Sequence, residues 1–173
     1  LSAGLLITII LSVYKIHFLG LEIYLSALFL LIVAYTLFMN IKMWNLLYAA
    51  IGNIILTSMV ASFLLLSLYD PVWLFIEQRK LLSILVTFLS IFLFNNYRSR
   101  IASAIIGLIQ GEFLYALILK KFSIHYLVAS LSFMDILALT CMFISIWSIF
   151  ENLQSVFEYK KFHEKKEKQL LNE

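Results

Sequence analysis

Long apolar runs separated by short polar breaks make up most of the amino-acid sequence. A helix needs about 20 apolar residues, within a few residues, to cross a lipid bilayer. The apolar runs are Leu1–Tyr14, Ile23–Met39, Leu46–Leu68, Leu81–Phe94, Ile101–Leu119 and Leu127–Phe150. They predict an all-α integral membrane bundle of about six transmembrane helices, and the short breaks predict antiparallel neighbours.

Two of these runs are short for a membrane span. The first run begins at Leu1 rather than at a methionine, so we expect the natural chain to start further upstream. The fourth run follows Asp70 and Pro71, which are favoured at a helix N-cap and in the first helical turn. One interpretation is a helix from Pro71 to Phe94, and the other is a separate interfacial turn ahead of the span.

The C-terminal residues 151–173 differ from the rest of the chain in composition. They contain five lysines and five glutamates, and Glu164 precedes Lys168 by four residues, the favourable order for an ion pair on a helix. The sequence therefore predicts a transmembrane bundle over residues 1–150 and a charged helical tail over residues 151–173. The basic stretch 160–168 is either a solvated helix face or a contact with anionic lipid.

The overall composition fits a chain that is surrounded by lipid. The 173 residues are 63% hydrophobic and 13% charged, with a mean hydropathy of +0.98. Soluble domains contain about 25% charged residues, so a soluble fold is excluded. The net charge of +3 is small and scattered, which argues against nucleic acid as a partner. Cys141 is the only cysteine, so the sequence predicts no disulfide framework.

Lysine and arginine residues are unevenly divided between the two sides of the predicted bundle. With six spans, the tail shares its side with the second and fourth breaks, and this side holds eight such residues against five on the other. Positive side chains are enriched on the cytoplasmic side of membrane proteins. The division predicts a cytoplasmic C-terminus, with the N-terminus on the same side.

Two acidic residues, Glu112 and Asp135, lie inside predicted spans. A carboxylate in the middle of a bilayer costs about 2.5–3.5 kcal/mol on insertion scales, so such groups face the protein interior and find partners. One hypothesis is a proton- or cation-linked site at Glu112 and Asp135, with Gln110 and Asn53 as further polar members. The other hypothesis is that these side chains only bond neighbouring helices.

The fifth run carries a stripe of small residues at four-residue spacing. Ser103, Gly107 and Gly111 fall on one helix face, and the two glycines form a GxxxG pair. Small residues let helix backbones approach closely in lipid. The stripe predicts a helix-packing surface within the chain, and a homodimer contact stays open.

Motifs for known reactions are absent from the sequence. It contains no HExxH, GxSxG, phosphate-binding loop or dinucleotide-binding glycine pattern. His17, His125 and His163 are far apart and lack the spacing of metal ligands. We therefore expect no catalytic residues, no metal and no cofactor, and an enzyme is the least favoured function.

Two short segments resemble a known family. Asp70-Pro71-Val72-Trp73 is followed by Phe75, Ile76, Glu77 and Arg79, and a later segment reads Gln110-Gly111-Glu112-Phe113-Leu114-Tyr115. Both are similar to segments of the YphA family, small multi-pass membrane proteins of Bacillus and its relatives. The resemblance implies a bacterial plasma membrane and singles out Asp70, Trp73 and Glu112, but it implies no particular activity.

Two functions fit these observations. The first is an accessory or structural protein that binds other membrane components, either other membrane proteins or a second copy of itself. The second is a small transporter or channel-like protein that uses Glu112 and Asp135. A polar cavity that reaches these acids would favour transport, whereas acids sealed inside the bundle favour the accessory function. A chain of 173 residues leaves little room for a permeation path, which also favours the accessory function.

Overall fold

The structure is mostly helical, as the hydropathy pattern predicts. It is a computed structural model that describes residues 2–18, 20–38, 43–70 and 77–170. The described helices are α1 (Ser2–Leu11), α2 (Leu25–Thr36), α3 (Met43–Tyr69), α4 (Gln78–Leu93), α5 (Tyr97–Lys121) and α6 (Leu131–Leu170). Each predicted apolar run overlaps one of them.

Three of these helices are long and apolar enough to cross a membrane. The qualifying segments are Trp44–Tyr69 in α3, Tyr97–Lys121 in α5 and Leu131–Gln154 in α6. The helices α1, α2 and α4 are shorter, with 10, 12 and 16 residues. Helix length therefore accounts for three spans, and the count of six stays a prediction.

The fourth helix does not begin at Pro71. The backbone of Glu77 has ψ 126° and caps a helix that begins at Gln78. Asp70 instead continues the last turn of α3, because its N–H donates to the carbonyl of Leu66 at 3.0 Å. A helix that is continuous from Pro71 is therefore wrong. The interfacial turn predicted for this stretch, including Trp73, falls within residues 71–76, which lie outside the described residues.

A small β-sheet interrupts the predicted all-α architecture. Strands β1 (Lys15–Phe18) and β2 (Leu21–Tyr24) form an antiparallel hairpin, and β3 (Leu127–Val128) pairs with β2 in parallel. Gly20 has φ +71°, a conformation that glycine adopts without strain and that lets the hairpin turn. The sheet joins the α1–α2 connection to the α5–α6 connection, so both lie at the same end of the bundle.

The helices run alternately between two ends of the bundle. At the end with the strands, called the sheet end, Arg79 near the start of α4 pairs with Asp135 near the start of α6. At the opposite end, called the tail end, the Tyr48 hydroxyl near the start of α3 donates to the carbonyl of Leu93 at the end of α4. Neighbours α4 and α6 are thus parallel to each other and antiparallel to the helices that precede them.

Helix α5 lies at the centre of the bundle and packs against α2, α3, α4 and α6. It runs parallel to α3, with Gly107 opposite Leu56 and Gly111 opposite Val60. A Cβ atom added at either glycine would lie 2.6 Å from the Cβ of its neighbour on α3, so only glycine allows this approach.

The last helix continues past the bundle without a break. Helix α6 has 40 residues, and a helix of this length extends about 60 Å at a rise of about 1.5 Å per residue. A bilayer core is only about 30 Å thick. The predicted tail is therefore the continuation of the last span as far as Leu170.

Candidate functional site

The Glu112 carboxyl group is enclosed in the bundle. Its side chain is completely buried on α5. The Oε1 atom accepts a hydrogen bond from the Tyr126 hydroxyl at 3.0 Å, and Oε2 accepts one from the backbone N–H of Ala129 at 2.8 Å. Both partners belong to the connection between α5 and α6, so Glu112 fastens this connection to the centre of the bundle.

The local backbone explains how the connection reaches inward. Ser123 and Ala129 both have φ +60°, a left-handed conformation that costs a non-glycine residue about 1–2 kcal/mol. At Ala129, the neighbouring pairing of β3 with β2 and the hydrogen bond from its N–H to Glu112 offset this cost. The rings of Tyr115 and Tyr126 meet edge to face, with centroids 5.1 Å apart, and fix the direction of the Tyr126 hydroxyl.

Tyr126 separates Glu112 from water at the sheet end. A cavity of about 710 Å³ is lined by Tyr126 together with His17, Glu22, Lys120 and His125, and Glu112 is not among its lining residues. Burial, and next the nearby charge of Glu112, raise the pKa of the Tyr126 phenol above its usual value. The phenol therefore keeps its proton and stays a donor to Glu112.

The cavity is not arranged as a metal site. In the part of the chain that the structure describes, no three His, Cys, Asp or Glu side chains are grouped to hold a metal ion. His17 lies 4.0 Å from Glu22, in an exposed contact.

Asp135 has surroundings different from those of Glu112. It lies in the second turn of α6 at the sheet end, with its side chain 65% exposed, and its Oδ2 is 3.3 Å from Nη1 of Arg79. Arg79 also pairs with Glu77 at 3.1 Å. The structure therefore places the two predicted acids in separate polar groups, one sealed and one at the surface.

Gln110 connects α5 to two other helices. Its Nε2 donates to the Tyr35 hydroxyl on α2 at 2.6 Å, and its Oε1 accepts from the Thr57 hydroxyl on α3 at 3.3 Å. Gln110 and Thr57 are half-buried, while Tyr35 is exposed. The side chain thus reaches from the central helix into the space between α2 and α3.

Two other polar residues of the prediction lie beside the α3–α5 contact. The Asn53 Oδ1 atom and the Ser103 hydroxyl are buried and have no hydrogen-bond partner among the described residues. Ser103 precedes Gly107 by one helical turn, so the predicted stripe of Ser103, Gly107 and Gly111 borders α3.

An ion pair between the buried Arg100 and the partly exposed Glu151, at the tail end, was missed by the sequence analysis. Arg100 is 5% exposed, and its guanidinium donates to both carboxylate oxygens of Glu151, at 2.5 and 3.1 Å, and to the carbonyl of Phe94 at 2.6 Å. The Trp147 indole also donates to Glu151 at 3.0 Å. The sequence feature that could have revealed this pair is an arginine at the start of one predicted span and a glutamate at the end of the next, because both lie at the tail end of the bundle.

Comparison with known proteins identifies a family for the whole bundle. The sequence model of the YphA-like integral membrane protein family matches residues 1–170, in agreement with the resemblance of the two short segments. Comparisons with curated proteins and with solved structures gave no significant match.

Proposed function

The chain belongs to the YphA-like integral membrane protein family, and we propose that it is an accessory protein of the bacterial plasma membrane. In this role it binds other membrane components rather than moving a solute across the bilayer.

The seal around Glu112 carries this proposal. Both oxygens of the carboxyl group are occupied by partners from the same chain, and the side chain is completely buried. A transport site must exchange its ion or proton with water on both sides of the membrane in turn. Glu112 instead lies behind the ring of Tyr126 and holds the α5–α6 connection in place, so its role is to stabilise the fold.

The arrangement of the helices supports a membrane topology with six crossings. The ion pair of Arg79 with Asp135 joins α4 to α6 at the sheet end, and that of Arg100 with Glu151 joins α5 to α6 at the tail end, so α5 runs in the direction opposite to α4 and α6. The surplus of lysine and arginine on the tail side favours a cytoplasmic C-terminus.

The continuation of α6 offers a position for a cytoplasmic partner. Arg100 and Glu151 anchor α6 where it leaves the bundle, and the helix continues to Leu170. Its sequence beyond Gln154 contains five lysines and only three glutamates before Leu171, which suits an acidic partner surface. We place the partner contact on this segment.

A transporter is the second candidate, and the cavity at the sheet end favours it. His17, Glu22, Lys120 and His125 line a cavity together with Tyr126, whose hydroxyl contacts Glu112. If Tyr126 swung aside, this space would open onto the buried acid.

Two measurements on the full chain separate these functions. The first is purification from native membranes in mild detergent, next to a variant that ends at Gln154. A partner present in stoichiometric amount with the full chain and lost with the shortened one supports the accessory function. The second is the pH inside vesicles that contain the purified protein. A proton leak above that of empty vesicles, abolished by Glu112→Gln, together with no such partner, would replace the proposal by the transporter.

A further inference from the structure

A cluster of polar side chains faces outward between α2 and α3. It consists of Tyr35, Asn53, Thr57 and Gln110, and we call it the carboxamide face. Tyr35 is 43% exposed, and the other three side chains are half-buried. Around them lie exposed apolar residues, among them Ile32 on α2 and Ile54 on α3.

The carboxamide face lies deep in the membrane. Gln110 is the fourteenth residue of the 25-residue α5, so it lies about 18 Å from either end of that helix at a rise of about 1.5 Å per residue. Thr57 occupies the middle of the Trp44–Tyr69 segment of α3. Hydrocarbon chains of lipid cannot form hydrogen bonds with these groups.

The polar groups of this face have hydrogen-bonding capacity left over. The Tyr35 hydroxyl accepts from Gln110, but its own hydrogen has no acceptor among the described residues. A carboxamide has two N–H donors and two acceptor lone pairs, and Gln110 uses one of each here. The buried Asn53 Oδ1 atom beside this face also has no partner among the described residues.

We infer that the carboxamide face binds a second copy of this chain. A tyrosine hydroxyl that lacks an acceptor and an amide oxygen with a spare lone pair are complementary, and one face carries both. Two copies related by a two-fold axis along the membrane normal would satisfy both groups reciprocally, since such an interface brings identical surfaces together. The surrounding apolar side chains meet across the same axis and exclude lipid from the polar centre.

This self-association is independent of the accessory function proposed above. It uses the end of α2 and the middle of α3 and α5, whereas the proposed partner contact lies on α6 beyond Gln154. A chain shortened after Gln154 should therefore still self-associate, and loss of one property leaves the other intact.

Disulfide crosslinking of the full chain in lipid vesicles tests this inference. In a Cys141→Ala background, Ile54→Cys places a thiol on the carboxamide face, and Phe88→Cys places one on the exposed side of α4. Copies with a cysteine at position 54 should crosslink to each other under mild oxidation, and copies with a cysteine at position 88 should not.

Tyrosine-to-phenylalanine variants test the chemistry of the face. Tyr35→Phe should weaken self-association about tenfold, as expected when two interhelical hydrogen bonds are lost from a dimer. Tyr97→Phe is the matched control, because its hydroxyl bonds Ser145 on α6 instead. Stepwise photobleaching of labelled protein at low density in vesicles measures the fraction of dimers in each variant.

Several results would overturn the inference. They are single bleaching steps for the unmodified chain, equal crosslinking at positions 54 and 88, and equal self-association of the Tyr35→Phe and Tyr97→Phe variants. In native membranes, the thiol at position 54 could crosslink only to another protein and never to a second copy of this chain. That result would show that a different protein covers the carboxamide face. If Tyr35→Phe fails to fold, the comparison of positions 54 and 88 decides the question.

Discussion

Arg100 and Glu151 join the start of α5 to the end of the membrane segment of α6 through two hydrogen bonds between full charges. The guanidinium is 5% exposed, and it also caps the carbonyl of Phe94 at the end of α4. One side chain thus ties together three helices at the tail end. The pair fixes the direction in which α6 leaves the bundle.

Glu151→Gln should lower the free energy of unfolding. The change leaves the Arg100 guanidinium buried without a counter-charge, and hydrogen bonds to charged groups contribute about 1.5–3 kcal/mol each. The effect should fall at the lower end of this range because Glu151 is partly exposed to solvent. Thermal unfolding in detergent measures the loss. Arg98→Gln, an exposed arginine two residues before Arg100, is the control and should unfold like the unmodified protein.

The bonds of Glu112 predict an order of stabilities among variants. Glu112→Ala removes both acceptors and leaves the Tyr126 hydroxyl and the Ala129 N–H unsatisfied, which costs about 1–3 kcal/mol for each buried group. Glu112→Gln keeps one acceptor oxygen and should cost less, and so should Tyr126→Phe.

Combining the two changes tests whether the residues act as a pair. In the Glu112→Ala background, Tyr126→Phe should cause little further loss, so a double-mutant cycle should show coupling of about 0.5–3 kcal/mol. Strictly additive losses would mean that the hydrogen bond between the two side chains contributes nothing to stability.

Gly111→Ala should destabilise the contact between α3 and α5. The new Cβ would lie 2.6 Å from both Cβ and Cγ1 of Val60 and 3.0 Å from the carbonyl oxygen of Thr57. Overpacking of this kind costs about 1–3 kcal/mol, and the larger side chain of Gly111→Leu should cost more. Gly4→Ala is the control, since no atom lies within 4 Å of the Cβ it would add. Equal melting temperatures for Gly111→Ala and Gly4→Ala would contradict the close contact.

The alternation of the helices predicts which residues are accessible from each side of the membrane. In a Cys141→Ala background, a thiol introduced by His17→Cys at the sheet end should react with an impermeant reagent on intact cells. One introduced by Arg98→Cys at the tail end should react only after the membrane is opened. A reporter fused after Glu173 should be active in its cytoplasmic form. The reverse labelling pattern would overturn the proposed orientation.

Periodicity and hydropathy predicted the helices well because lipid demands continuous apolar runs with internal hydrogen bonds. Each of the six runs overlaps a helix, and the glycines Gly107 and Gly111 lie against α3. The strands were missed because Lys15–Phe18 and Leu21–Tyr24 are too short to show a period. The second partner of β2, Leu127–Val128, is more than 100 residues away in the sequence.

The polar groups were harder to predict because their partners are distant in the sequence. Glu112 and Asp135 lie on consecutive helices, and proximity along the chain suggested a shared site. The structure shows that the position of each acid along its helix determines its surroundings instead. Glu112 is deep in α5, whereas Asp135 is near the start of α6 at the surface. Arg100 and Glu151 looked like ordinary charges at the ends of spans, and only the three-dimensional structure pairs them.

Glu112 is sealed inside the bundle, where it stabilises the fold. Modification of the unmutated protein with a water-soluble carbodiimide, read out by peptide mass spectrometry, measures whether water reaches this acid. Asp135, with its side chain 65% exposed, and Glu22, 42% exposed, are controls in the same sample. We predict that both controls are modified while Glu112 is not. Modification of Glu112 to the same extent as Asp135 would show that water reaches the acid and that the bundle does not seal it.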